Sequence, residues 1–481
     1  MAICCGWPTR PTSTASLPAG CCSSAVWSPI PSCGPSRAAL LTGKYSHPNG
    51  FYRNGDRFDG SQPTFPKMLQ AAGYQTAMIG KWHLETDPTG FDHWQILPGQ
   101  GAYYNPAMIR NGRPLRLEGY TTDLITDLAI EWLRSRDRSR PFLLMCHHKA
   151  PHREWAPALR YLGWNGDRTF PEPPTLFVDY SGRGRPEREQ DLTLEKSYSE
   201  RDAKLVRPGY LTPEQAAAWD AYYEPRNAKF REANLSGRDL VRWKYQRYMH
   251  DYLACILAVD EGAGRLLEAL DAEGLATHTM VVYSSDQGFF SGEHGWFDKR
   301  WIYEESLTTP LIVRAPGLTA PGGRCAAMVS ILDLPATFLE WAGLPVPGDM
   351  QGRSLIRLLK GERPADWRTE FYYHYYEYPG AHAVRRHYGI VTDRYKLFHF
   401  YEPDVNEWRL IDRQTDPLEL KDVPNDPAYE PVRADLHRRL ARLREQLRVP
   451  AEDPPFQPPA VRSGRAGPAH RSGGPATDNR P

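Results

Sequence analysis

Apolar residues in this chain gather in short unbroken runs more often than they alternate with polar ones. Residues 75–79, 141–147, 279–285 and 310–314 are runs of this kind, each bounded by turn-forming residues. A strand covered on both faces reads this way, so the four predict interior strands. Between them the period lengthens to that of a helix. One helix is expected over 122–136 and another over 245–270, where Tyr248, Tyr252, Ile256, Val259, Leu266 and Leu270 share a stripe. Strand-helix alternation predicts an α/β sandwich around a largely parallel sheet. Residues 165–245 are polar, charged and rich in proline, which predicts an excursion over the surface. Near Asp366 the pattern turns to aromatic strands at 371–378, 388–392, 396–400 and 407–411, then a charged helix ending near Leu447. That second pattern predicts a smaller antiparallel α+β subdomain. The expected domains are therefore 33–362 and 363–450.

The two ends read differently. Residues 1–32 are rich in Cys, Pro, Ser and Thr and follow neither the strand nor the helix period. They also lack the charged start and apolar centre of a signal peptide, so they leave localisation open. The first acidic residue of the chain is Asp56, although the sequence holds 58 acids in 481 residues. An aberrant or disordered start, from a reading-frame error or a truncation, is the expectation, with structure beginning at Ser32-Cys33. Residues 451–481 are mostly Pro, Gly, Arg and Ser and predict a disordered tail.

The 59 basic residues nearly balance the acids, which argues against nucleic acid as the main partner. No run approaches the roughly 20 apolar residues of a membrane helix. The eight cysteines show no metal-type spacing, and the scattered Cys146, Cys255 and Cys325 read as small buried hydrophobes.

Chemistry concentrates in separated motifs. Cys33-Gly34-Pro35-Ser36-Arg37 runs straight into Ala38-Ala39-Leu40-Leu41-Thr42-Gly43. Pro35 suits a first helical turn, so Cys33 is expected at a helix N-terminus, where free N–H groups favour an oxyanion. Arg37 adds a bidentate oxyanion partner. Gly80-Lys81-Trp82-His83 follows the strand 75–79, placing Lys81 and His83 where ligands of open α/β sheets gather. His147-His148-Lys149-Ala150-Pro151-His152 follows the next strand and offers proton transfer, with His152 favoured and His148 second. Ser284-Ser285-Asp286-Gln287-Gly288 closes another, and Lys299 lies beyond Gly292-Glu293-His294-Gly295. A carboxylate at the end of an apolar strand is costly unless it is paired or metal-bound, and its hard oxygens suit Ca²⁺ or Mg²⁺. Tyr376-Glu377-Tyr378 with His382, Arg385 and Arg386 pairs aromatic platforms with cations, as sugar rings and anionic groups would require.

With these motifs in view, the chain resembles the type I sulfatase family from Ser32 to about Leu447. The resemblance implies an alkaline-phosphatase-like α/β fold and oxidation of Cys33 to formylglycine by a maturation enzyme. The hydrated aldehyde would be the nucleophile. It implies that Lys81, Lys299 and Arg37 take sulfate charge, and that His83 deprotonates the second hydroxyl. His152 would protonate the leaving alcohol, and Asp286 and Gln287 would ligate a divalent ion. Similarity to bacterial enzymes related to N-acetylglucosamine-6-sulfatase implies a sulfated carbohydrate substrate, and relatives that are periplasmic or secreted. The family also carries an Asp-Asp metal pair on a first strand ahead of the Cys. No acid precedes Asp56, so the pair and its strand are expected to be missing, and the chain as it stands to turn over little. A phosphatase or phosphodiesterase of the same superfold is the enzymatic alternative. A non-catalytic glycan-binding remnant is the other.

Overall fold

The proline and the Ala/Leu run after Cys33 do form a helix, Cys33–Thr42. It stops at Gly43, whose φ of 68° is a left-handed conformation that favours glycine. The computed structural model describes residues 21–28 and 30–455, and for 21–26 the backbone alone. The first strands in chain order are β1 (Cys21–Trp27), β2 (Gln75–Lys81), β3 (His93–Leu97), β4 (Ala107–Arg110), β5 (Arg113–Arg116) and β6 (Phe142–His147). Then come β7 (Val281–Ser284), β8 (Phe290–Ser291), β9 (Phe297–Asp298), β10 (Thr308–Arg314), β11 (Arg324–Cys325) and β12 (Val329–Ser330).

One sheet runs β5-β4-β3-β2-β6, with β2 parallel to both β3 and β6. The other runs β11-β1-β10-β7, with β12 also beside β1 and β10 antiparallel to both its neighbours. The central architecture is thus mixed around a parallel core. The helix Thr121–Ser135 packs on β2 and β6 and against the long helix Gly237–Ala272. Its apolar stripe buries Ile125, Ala129, Ile130 and Leu133.

Two expectations change. Regular structure begins before Ser32, because backbone pairing to β10 on one side and to β11 and β12 on the other fixes β1. Residues 1–20 and 456–481, where the rest of the unusual start and most of the expected tail fall, lie outside the described residues. The expected surface excursion at 165–245 contains the helix Pro213–Ala233 and feeds the core. Trp219, Tyr223, Leu194 and Tyr198 are buried there against Trp155 and Tyr248. Its polar composition belongs to the outer faces, while a few large aromatics carry the inner one.

The C-terminal strands β13 (Glu370–Tyr375), β14 (His387–Thr392), β15 (Tyr395–Glu402) and β16 (Val405–Asp412) form one antiparallel sheet in that order. Alternate residues face opposite ways. Tyr372, Ile390, Leu397 and Leu410 meet Leu436 and Leu440 of the helix Glu430–Gln446. Tyr373, Tyr375, Phe398 and Phe400 meet Trp296, Trp301 and Tyr303 of the central part. The described residues up to Pro450 therefore pack as one compact unit, with the antiparallel sheet as its C-terminal part.

Candidate active site

The helix Cys33–Thr42 points its first residue into the space where β2, β6 and β7 end. Cys33 is a buried free thiol. Its turn is pinned from the C-terminal sheet: Ser32 Oγ donates to Glu377 Oε2 at 2.9 Å, Asn54 Nδ2 donates to the same oxygen at 2.8 Å, and Gly34 N donates to Asn54 Oδ1 at 3.0 Å. Four residues on, Arg37 ties three elements together. Its Nε donates to Asp286 Oδ2 at 2.9 Å, and its Nη1 donates to Lys81 O at 2.5 Å and to His147 Nδ1 at 3.1 Å. The sequence offered Arg37 as an oxyanion partner. Its Nε and Nη1 are committed to protein groups, so it orients Asp286 and the strand ends.

Lys81 closes β2 and is 2% exposed. Burial lowers its pKa, while Cys33 and Asp286 act the other way. Lys299 is equally buried, and its Nζ donates to Asp298 Oδ1 at 2.8 Å. Burial pulls Lys299 down too, but Asp298 and Cys33 outweigh it and the net shift is upward. Cys33 therefore sits within the fields of two buried ammonium groups. Asp298, which the sequence reading missed, accepts from Arg300 Nη1 at 2.7 Å through its other oxygen, and His382 Nε2 lies 3.9 Å from that oxygen. Asp298 (φ 70°) and Arg300 (φ 102°) both adopt left-handed backbone, uncommon outside glycine and often retained at functional sites.

The histidines divide. His83 is buried at φ 61°, with Nε2 against Gln100 Nε2 at 3.0 Å and no partner for Nδ1 among the described residues. Burial and then the Lys81 and Arg37 charges drive its pKa well down. His152 bonds through Nδ1 to Arg153 O at 2.8 Å, which fixes the proton on that nitrogen. Burial, then Lys81, Lys299 and Lys149, hold its imidazole neutral. His148 turns away: its Nε2 meets Thr126 Oγ1 at 2.9 Å under the helix Thr121–Ser135, and burial holds it at about 4. The substrate contact expected of His148 does not fit this placement. Its neighbour His147, which had been passed over, faces the pocket and is held at about 3 by burial and then Arg37. Lys149 is buried beside it, pulled to about 7 by burial and then Lys81.

Asp286 and Gln287 lie together at the end of β7. Burial would raise the Asp286 pKa, but Arg37, Lys81 and Lys299 hold it at about 2. Gln287 Nε2 donates to Ile30 O at 2.8 Å and Ser32 O at 3.2 Å, which leaves its buried Oε1 without a partner among the described residues. An orphaned carbonyl beside a carboxylate is a fragment of a hard-cation site, and no more than that. Ca²⁺ takes six to eight oxygens, and Asp286 is already bonded to Arg37. Among the described residues no group of three or more His, Cys, Asp or Glu side chains could hold a metal ion.

The basic pair at the rim is neutralised internally. Arg385 meets Glu189 at 3.2 Å and Asp404 at 3.1 Å, and Arg386 is held by both oxygens of Glu402 at 2.7 and 3.0 Å. Neither is presented as a free cation to a sugar, contrary to expectation. Of that cluster, His382 approaches the pocket through Asp298, and Glu377 through Ser32 and Asn54.

A cysteine heading a helix at the carboxyl ends of α/β strands, ringed by buried lysines and neutral histidines, defines an alkaline-phosphatase-like hydrolase site. The sulfatase family model matches residues 4–344, and the model for the C-terminal region of N-sulphoglucosamine sulphohydrolase matches residues 292–446. The chain belongs to the sulfatase family and is a sulfuric ester hydrolase. An N-acetylglucosamine-6-O-sulfatase of Bacteroides thetaiotaomicron is 48% identical over 86% of this chain and 78% of its own length. The N-acetylglucosamine-6-sulfatase of Capra hircus is 28% identical over 72% of this chain and 59% of its own. The solved structure of BT4656 in complex with its substrate D-glucosamine-2-N,6-O-disulfate superposes with a TM-score of 0.87 at 47% identity, covering 89% of this chain and 91% of that one.

Proposed function

We propose that this chain removes a sulfate ester from the 6-position of a glucosamine-type sugar, using Cys33 after its conversion to formylglycine by a maturation enzyme. The observation that carries the reading is buried Cys33 at the N-terminus of a helix whose Arg37 bonds both the Lys81 carbonyl and Asp286. The 6-O-sulfated sugars handled by the two N-acetylglucosamine sulfatases and by BT4656 supply the substrate class.

Formylglycine supplies a hydrated aldehyde whose hydroxyl is the nucleophile toward sulfur. The chain's own groups do the rest. Lys81 and Lys299 neutralise the sulfate oxygens in a dry site, where each charge counts for more than in water. Asp298 holds the Lys299 ammonium in position from behind. His152 keeps a basic Nε2 toward the pocket, because Nδ1 is committed to Arg153 O. An anionic ester lying between the two lysines offsets the cations that hold His152 neutral, so His152 can take a proton from solvent on Nε2 and pass it to the alcohol oxygen as its bond to sulfur breaks. His83, with its unpartnered Nδ1, is the acceptor for the proton released when sulfate leaves. Asp286 and Gln287 are this chain's share of a divalent-ion site, Ca²⁺ first and Mg²⁺ second. Because the described residues do not complete that site, no step here depends on it, and turnover by the chain alone is expected to be slow.

Sulfate and phosphate release from matched 6-O esters of N-acetylglucosamine, by protein co-produced with a converting enzyme, tests the reading. Preference for the sulfate ester, abolished in Cys33→Ala, supports it. Preference for the phosphate ester, or release that survives Cys33→Ala, overturns it. The incomplete cation site favours one second reading, a glycan-binding remnant, which predicts sugar binding with no turnover even after Cys33 is converted.

A further inference from the structure

Lys149 carries an amino group that the reaction described above does not use, in a position that costs stability. The residue is buried, and among the described residues no carboxylate forms an ion pair with it. A cation held in the interior without an ion pair is unfavourable, and such groups concentrate at functional sites. Its Nζ has two neighbours instead. It donates to Arg153 O at 3.3 Å and lies 4.6 Å from the centre of the Tyr103 ring. Both neighbours lead to His152. Arg153 O is the carbonyl that also accepts from His152 Nδ1, at 2.8 Å. Two donors, from the first and last residues of one turn, thus converge on one oxygen, which has two lone pairs to offer. The Tyr103 hydroxyl donates to His152 O at 2.5 Å, and His152 N donates to Lys149 O at 3.1 Å. Arg153 anchors the turn from outside, with Nε and Nη2 on the Asp202 carboxylate at 2.8 and 2.6 Å. A bond from His152 Nδ1 to the next residue's carbonyl is local, and left alone it is lost by rotation within that residue. A second donor on the same oxygen keeps the carbonyl where the imidazole needs it.

We propose that Lys149 is a positioning residue for His152: from its seat over Tyr103 it holds Arg153 O, and so keeps the His152 proton on Nδ1 and leaves Nε2 to serve the pocket. Lys149 acts only through the acid role given above to His152, and rests on that reading. Its effect is therefore selective. A sugar alkoxide is a poor leaving group and needs its proton as the bond to sulfur breaks, whereas 4-nitrophenolate leaves without one. Loss of Lys149 should be felt by the sugar ester and hardly at all by the aryl ester. General weakening of the fold would lower both alike.

Long-range proton–nitrogen correlation spectra of the full chain, isotope-labelled at histidine, read the tautomer directly and need neither conversion of Cys33 nor turnover. The His152 signals are those lost in His152→Gln. The parent should show one neutral form, protonated on Nδ1. Lys149→Met, which fills a similar volume without a donor, should show both tautomers in exchange. Lys149→Gln, one bond too short to reach the carbonyl, should do the same, so the test survives if either variant fails to fold. With converted protein, Lys149→Met should release sulfate from N-acetylglucosamine 6-sulfate about tenfold more slowly at saturation, with KM little changed. On 4-nitrophenyl sulfate the loss should stay under about twofold. An unchanged Nδ1 tautomer in the folded variants, or equal losses on the two esters, overturns the proposal. His152→Gln separates this from the acid role itself, since it should lose the sugar ester and spare the aryl ester. If His152→Gln makes that split and Lys149→Met does not, Lys149 alone is wrongly assigned. If His152→Gln makes no split, the acid role of His152 fails, and Lys149 has nothing to position.

Discussion

β2 and β7 each deliver a candidate site residue from a carboxyl end, into opposite surroundings. β2 is flanked by β3 and β6 and buries everything after its first residue, so Lys81 emerges from a rigid wall with one chemical option, to meet an anion. β7 is paired on one edge and partly exposed throughout, and it ends in Asp286 and Gln287, whose oxygens are half a cation site. The anion-holding half of the pocket is complete within the described residues, and the cation-holding half is not. β2 is paired on both edges and β7 on one among the described residues, and the burial of the two strands follows that difference.

Arg37 joins the two halves, so breaking it should have the largest effect. Arg37→Ala leaves the largely buried Asp286 carboxylate without its ion pair and cuts the tie to Lys81 O and His147, and should cost about 3 kcal/mol of stability, read from urea denaturation. A loss under about 1 kcal/mol would mean that the tie is not structural. Next is the complete half. Lys81→Ala should lower sulfate release by about 10²–10³-fold with the fold retained, as removal of a preorganised charge-stabilising donor does. A fall confined to KM would show that Lys81 serves ground-state binding only.

The strand comparison can be tested directly. Ile79→Ala in β2 removes a fully buried side chain and should cost about 2–5 kcal/mol, while Leu144→Ala in the half-open β6 should cost roughly 1 kcal/mol. Equal losses would erase the distinction between the two walls. A further expected effect is one of pH. Lys149 has a folded pKa of about 7 against the ordinary 10.5, so the unfolded chain binds more protons between those values. Stability should therefore rise as pH increases through that window, by about 2 kcal/mol from pH 7 to 9. The rise should be absent in Lys149→Met, and a variant whose pH profile matches the parent would contradict the assignment.

Much of this was legible in the sequence because it was local. Pro35 after Cys33, the runs ending at Lys81 and Asp286, and the aromatic alternation of β13 to β16 each encode an element and its face within a few residues. What escaped was relational. Arg37 reads as an anion binder until Asp286, Lys81 O and His147 are seen around it, from positions far along the chain. Adjacent His147 and His148 look equivalent, but they leave one strand in opposite directions, so only one reaches the pocket. Arg385 and Arg386 look like a basic patch until Glu189, Asp404 and Glu402 close on them. The adjacency of Asp298, Lys299 and Arg300 was the available signal for the triad that holds Lys299. The unpaired edges of β6 and β7 had no local signal, since a strand's neighbours are not written in the strand.

Peptide mass spectrometry on the fragment carrying Cys33, from protein co-produced with a formylglycine-generating enzyme, addresses the centre of this account most directly. The account predicts the mass change of a thiol replaced by an aldehyde, trapped by a hydrazide probe. A fragment recovered wholly as the thiol, with a control substrate converted in the same cells, would contradict it.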